Sequence, residues 1–172
     1  MSIEAVLTSL QAEVQEHRVG SLLSTYLHKP RKAPLFQAAL GKFLINGHLR
    51  FAATWSWWAF FGASFYFLYR KMYLFGLISF FAAVIIAYVD SALSVIVPVT
   101  CAISAKYLYC KKFIDDLEVA GYPTKPDDEM NRILFKIGGY NNWAIVAYFL
   151  LIILNASAAI FFFDELTGGV YT

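Results

Sequence analysis

Charge is scarce in this chain. Of its 172 residues only 15% are Asp, Glu, Lys or Arg, and 59% are hydrophobic; soluble domains carry about 25% charged residues. A soluble fold of one domain needs polar surface to cover its core, and here there is too little of it. The mean hydropathy of +0.57 agrees. Cysteine is scarce too. Cys101 and Cys110 fall on roughly opposite faces if they share a helix, which argues against a disulfide between them. No CxxC pair exists, so a thiol redox motif and a zinc knuckle are excluded. The three histidines, His17, His28 and His48, all precede the long apolar runs, so haem ligation within a bilayer has no basis. Phosphate loop, dinucleotide fingerprint, HExxH and GxSxG are absent. These absences predict no catalytic residue, no cofactor, no metal and no enzyme. A net charge of +2 gives no footprint for nucleic acid. Glu4, Glu13 and Glu16, with no long apolar run among them, argue against a cleavable signal peptide.

What the chain has is aromatic and apolar runs. Run A is 51–69, run B 72–89, run C 91–105 and run D 143–163. Run D carries no charge and rises about 31 Å as a helix, close to the roughly 30 Å of bilayer hydrocarbon. Runs B and C with Asp90 would make one helix of about 51 Å, too long for a single crossing. Such a helix would also bury Asp90 near the membrane centre, at about 2.5–3.5 kcal/mol. A hairpin places Asp90 in the turn, where it can cap run C. It also puts Arg70 and Lys71 on the same side as Lys106, Lys111 and Lys112. The far side then shows only Asp90, Asp164 and Glu165. Run A has cations at both flanks, crowds Trp55, Trp57 and Trp58 at its start, and has a small-residue centre at Gly62-Ala63-Ser64. Tryptophans prefer the interface to the acyl core, so run A reads as re-entrant or interfacial.

The chain therefore divides into 1–50, a cytoplasmic amphipathic helical region; 51–112, the aromatic segment and helical hairpin; 113–142, a cytoplasmic loop with a short helix; 143–163, a C-terminal transmembrane helix; and 164–172, an outside tail. In the first region Ile3, Leu7, Leu10 and Val14 make an apolar stripe, with Ser2 placed to cap it and Glu4 in the first turn. The stripe suits packing on the chain itself or on a second copy; a short coiled coil with a partner is the rival. A cationic break at 28–34 precedes a helical stretch of about 35–47, whose Phe36, Leu40, Phe43 and Leu44 suit the headgroup zone of an anionic leaflet. In the loop, Gly121-Tyr122-Pro123 reads as a turn. A short helix follows from near Pro126 to Ile137, with acids in its first turn, Lys136 in its last and Gly138 beyond.

The stretch Trp58-Ala59-Phe60-Phe61-Gly62-Ala63-Ser64-Phe65-Tyr66-Phe67-Leu68-Tyr69-Arg70-Lys71-Met72-Tyr73 resembles the signature of a bacterial family of small inner-membrane proteins, a domain of unknown function. Ala105-Lys106-Tyr107-Leu108-Tyr109 with Lys111-Lys112 resembles the box that follows in that family. Ala63 stands where the family has proline, and Lys106 where it has asparagine. The resemblance covers about 55–112. It implies residence in a bacterial membrane and carries no activity.

The whole predicts an all-α membrane protein of about three transmembrane helices, a re-entrant or interfacial aromatic segment and an amphipathic N-terminal region. The cytoplasmic side holds the N-terminus and the outside holds the C-terminus. Its expected partners are the lipid bilayer and other membrane proteins or copies of itself. Trp55, Trp57 and Trp58 suit contact with a partner helix or lipid, or plain interface anchoring. Arg70 and Lys71 suit lipid phosphates, or plain topology setting. Asp90 is either a turn cap or an intramembrane site. Asn155, among Ala156, Ser157, Ala158 and Ala159, suits a helix–helix contact. The function expected is a non-enzymatic accessory or scaffold component; the alternative is a small oligomeric transporter or channel using Asp90.

Overall fold

The computed structural model describes residues 3–14 and 17–168, with side chains as far as Phe161. The cap expected of Ser2 and the side chains of Asp164 and Glu165 lie outside the described residues. The N-terminal region folds as three short helices, α1 (Ile3–Glu13), α2 (His17–Leu27) and α3 (Ala33–Phe43). In α1, Leu7, Leu10 and Val14 of the apolar stripe are buried, and Val6 joins them while Ile3 stays exposed. Helix α2 is amphipathic in its own right, burying Val19, Leu22, Leu23, Tyr26 and Leu27 at helical spacing. It ends where His28 turns to positive φ. The cationic break forms a 3-10 turn, Pro30–Lys32, with proline at its first position, and Pro34 falls in the first turn of α3; both are places where a missing N–H costs nothing.

Two expectations for α3 change. Phe36, Leu40 and Phe43 face the protein core rather than headgroups, since an amphipathic stripe serves either purpose and a protein partner is at hand. The helix also stops at Phe43. Asn46 and Gly47 both take positive φ, 53° and 71°, and close a two-residue hairpin between β1 (Leu44–Ile45) and β2 (His48–Leu49).

Run A becomes α4 (Trp57–Tyr69), broken at Ala63, whose φ of 38° and ψ of −120° are not helical. Runs B and C fold as an antiparallel hairpin of α5 (Tyr73–Val89) and α6 (Ile96–Ala120), joined by a 3-10 turn at Ser91–Val95. Phe75, Ile78 and Ala82 of α5 face Leu108, Ser104 and Thr100 of α6 across a cavity of about 350 Å³. Helix α4 packs on α5, α6 and α8 (Trp143–Gly168).

Helix α6 runs on to Ala120, so that 113–120, read as the start of a loop, is helix instead. Its Tyr109, Phe113, Ile114, Leu117 and Ala120 recur every three or four residues and are buried against α1, α3 and α7 (Asp127–Ile137). Gly121, at φ 89°, ends the helix in the left-handed conformation that glycine takes freely. Helix α7 spans what the sequence predicted. It stops at Gly138, which is not left-handed (φ −76°); the left-handed residue is Gly139.

The result is sorted by zone. The buried side chains come mainly from α1–α3, the second half of α6 and α7. Exposed large apolar residues come mainly from α4, α5 and α8. In α8, Ala144 is buried while Trp143 is 76% exposed and Phe149, Leu150, Ile153 and Leu154 are exposed too. Among the described residues, two helical segments, Ser91–Ala120 and Trp143–Phe161, are long and apolar enough to cross a membrane; α5 is apolar but shorter.

Candidate functional site

Where the zones meet, the cationic linker before α3 lies along α4. Between them is a cavity of about 460 Å³ lined by Lys29, Lys32, Trp58, Phe61, Gly62, Phe65, Tyr66, Tyr69 and Arg70. The lining has a local cause. Positions 58, 61 and 62 before the break at Ala63 and 65 and 69 after it line the same cavity, which presents an aromatic wall. Gly62 leaves the middle of that wall low. The Lys32 ammonium sits 5.2 Å from the Trp58 ring centre. Lys29 sits 5.9 Å from Tyr69 and 5.2 Å from Tyr140, whose rings stack. Cations over aromatic faces are held without an acid partner.

Arg70 closes the inner end. It is only 4% exposed, and its guanidinium carbon lies 5.0 Å from the Tyr109 ring centre on α6. Its Nη1 is buried and has no hydrogen-bond partner. Tyr66 and Tyr109 lie within electrostatic reach of the guanidinium. Among the described residues, the ion pairs join Arg18 to Glu13 and Asp127, Lys112 to Asp116, and Lys125 to Glu129; Lys29, Lys32 and Arg70 are in none of them. Three cations thus converge on one cavity with no acid in its lining. Burial, reinforced by Arg70 and Lys29, holds the Lys32 ammonium below its ordinary range.

Lys71, the neighbour of Arg70 in sequence, points elsewhere. Its ammonium donates to the carbonyls of Lys136 and Gly138 at the end of α7, where a cation suits the helix dipole. Burial and nearby Lys112 push it below its ordinary range. Arg70 and Lys71 therefore do not form one basic patch. Trp58, 73% exposed, belongs to the cavity. Trp55 and Trp57 do not line it; their rings meet at 5.2 Å and continue through Phe60 and Phe61 as an exposed aromatic ridge. Asp90 is exposed at the hairpin turn, and its carboxylate accepts from the Ala92 N–H at 2.8 Å, the geometry of a cap. Asn155 and Ala159 are half-buried, and Ala156, Ser157 and Ala158 are exposed, so that face of α8 is not covered within the chain. Cys101 and Cys110 are both buried and free. Among the described residues no cluster of three His, Cys, Asp or Glu could hold a metal ion.

Lys29 and Lys32 escaped the sequence reading because their bearing on α4 is tertiary, some thirty positions away in the chain. The one signal was compositional: a cationic linker and an aromatic run in the same chain.

The chain matches a family model described as a protein of unknown function (DUF2628) over residues 4–113. The match takes in the aromatic stretch and extends through the N-terminal helices, which the resemblance drawn from sequence had not reached. No curated protein and no solved structure matches the chain.

Proposed function

The chain belongs to the DUF2628 family, a family of unknown function, and we propose that it is a multi-pass inner-membrane protein that serves as an accessory or scaffold component. In this reading α5, the first half of α6 and α8 cross the bilayer and α4 lies at its cytoplasmic face. Helices α1–α3, the second half of α6 and α7 form a platform on the cytoplasmic side, open to partners or to further copies of the chain. The observation that carries the reading is α8. It is the most apolar long segment and it stands almost uncovered, touching the chain mainly through α4. Each large apolar side chain left in water forgoes about 1.5–3 kcal/mol, and α8 exposes many. A bilayer removes that cost. The platform, by contrast, has a packed core and a polar exterior. The hairpin turn at Asp90 supports a capping role there and lends nothing to a transport path.

Membranes from cells expressing the full chain, washed in alkaline carbonate, test this. The chain stays in the pellet if the reading is right; release into the supernatant with the peripheral proteins overturns it.

A further inference from the structure

We propose that the cavity between the Lys29–Lys32 linker and α4 binds the phosphate of an anionic phospholipid headgroup, with Arg70 as its anchor. A guanidinium that is 4% exposed, with one nitrogen buried and unbonded and no acid paired to it, is costly to leave so, because the tyrosines around it replace only part of the hydration it has lost. The Arg70 side chain is among those that line a cavity of about 460 Å³. Lys29 and Lys32 line it as well, and no acid does. A phosphate oxygen there would satisfy Arg70 Nη1 with a charge-assisted hydrogen bond, for which the planar guanidinium is suited. It would also relieve the mutual repulsion of Lys29, Lys32 and Arg70 that, after burial, weighs on Lys32.

The remaining lining selects among phosphates. Trp58, Phe61 and Phe65 form an aromatic wall continuous with the exposed apolar surface of α4. A free phosphate ion gains nothing from that wall. A phospholipid does: its headgroup meets the cations while the first part of its apolar chains runs along the aromatic rings. The lipid as source rests on the membrane reading given above; the anion site itself does not.

The test uses the full chain in an uncharged detergent, with thermal unfolding and intrinsic tryptophan fluorescence as readouts. Phosphatidylglycerol, phosphatidylcholine and inorganic phosphate are titrated separately. Phosphatidylglycerol raises the melting temperature and perturbs the tryptophan signal, whereas phosphatidylcholine and inorganic phosphate have at most a weak effect. Arg70→Met abolishes the phosphatidylglycerol response while the lipid-free protein melts no lower than the wild type, since a buried unpaired charge has been removed. Lys32→Gln, at a half-exposed position that threatens the fold little, weakens the apparent affinity about tenfold. Equal responses to phosphatidylglycerol and phosphatidylcholine overturn the proposal, as does an unchanged response in both variants. A response to inorganic phosphate as large as that to phosphatidylglycerol overturns the lipid source and leaves a free-anion site. Release of the chain by carbonate, with the Arg70-dependent anion response intact, sinks the membrane reading alone.

Discussion

Tyr26 carries a hydroxyl into the platform's interior and spends it on a small polar network. It donates to Asp116 and accepts from the Lys112 ammonium at 2.9 Å, while Lys112 also pairs with Asp116. Its ring packs on Tyr109 and Phe113. Tyr26→Phe keeps the ring and leaves the Lys112–Asp116 pair, so it costs about 1 kcal/mol near neutral pH. Burial, with Tyr109 and Asp116 close by, raises the Tyr26 phenol above its ordinary value, which is about 10. The sign follows. An acid that holds its proton more tightly when folded gives stability that is complete below pH about 10 and is lost as pH rises beyond it, where the unfolded chain releases the proton first. Melting temperatures across the alkaline range fall for the wild type, and fall less for Tyr26→Phe. Identical alkaline limbs would remove Tyr26 from the account. Gly138 is set by contact rather than by φ. A methyl there would overlap the Tyr26 carbonyl oxygen and stand 2.6 Å from the Tyr26 ring and 2.7 Å from the Leu134 carbonyl oxygen. Backbone atoms have little room to move, so Gly138→Ala costs about 2–3 kcal/mol, read as a lower melting temperature. Gly41→Ala, at a half-buried helical position that borders a surface groove, is the control with little loss.

At the scale of elements, the number of crossings in the proposed membrane reading turns on α4. Both ends of the segment meet α6 at nearby levels: the Thr54 N–H donates to the Ile103 carbonyl, and Arg70 lies over Tyr109. Six residues of helix separate those levels, about 9 Å. Both ends also meet the same linker, Trp58 through Lys32 and Tyr69 through Lys29. A helix crossing a bilayer separates its ends by about 30 Å; this one, broken at Ala63, does not. Single cysteines at Ser56, Leu74 and Ser91, in a background without Cys101 and Cys110, check this in intact cells with an impermeant thiol reagent. Ser91 labels and the other two do not. Labelling at Leu74 but not at Ser56 would make α4 a full crossing. Much of this layout was legible in the sequence where one local signal sufficed. Asp90 between two apolar runs marks the hairpin, and acids at 127–129 with Lys136 mark α7. Helix α2 and the Asn46-Gly47 turn had local signals too, in their spacing and turn chemistry, and went unread beside a cationic, proline-containing stretch. The run of α6 through Lys106, Lys111 and Lys112 was not legible. Its Lys111, Asp115 and Glu118 line one side, while the buried side depends on α1 and α3 being present to cover it.

For the whole molecule the remaining question is which way it faces. The structure gathers its cations at one end of the α5–α6 hairpin. Lys71, Lys111 and Lys112 border one cavity there, and Lys29, Lys32 and Arg70 border another. Asp90 lies at the opposite end of α5, about 25 Å away along a helix of 17 residues. Helix α8 starts from the cationic end. Asn141 caps its Trp143 N–H, takes the Tyr69 carbonyl through its own N–H and donates to the Tyr73 hydroxyl. No Lys or Arg follows Lys136 in the sequence. Cations near the ends of membrane helices are retained on the cytoplasmic side, and acids exert little hold of their own. On the membrane reading proposed above, the hairpin would enter and return on the cytoplasmic side, and α8 would leave it once. Three crossings of that kind would put the N-terminus inside and the C-terminus outside. A reporter that folds only in the cytoplasm, fused after Thr172, stays dark, while one that works only beyond the membrane is active there. The same pair fused before Met1 gives the reverse. Two lysines added directly after Asp164 weaken the outward export of the C-terminal reporter, because they oppose the only bias that holds α8 in place. A bright cytoplasmic reporter after Thr172 in the unaltered chain would mean an even number of crossings. The charge asymmetry would then have to be explained by the platform alone.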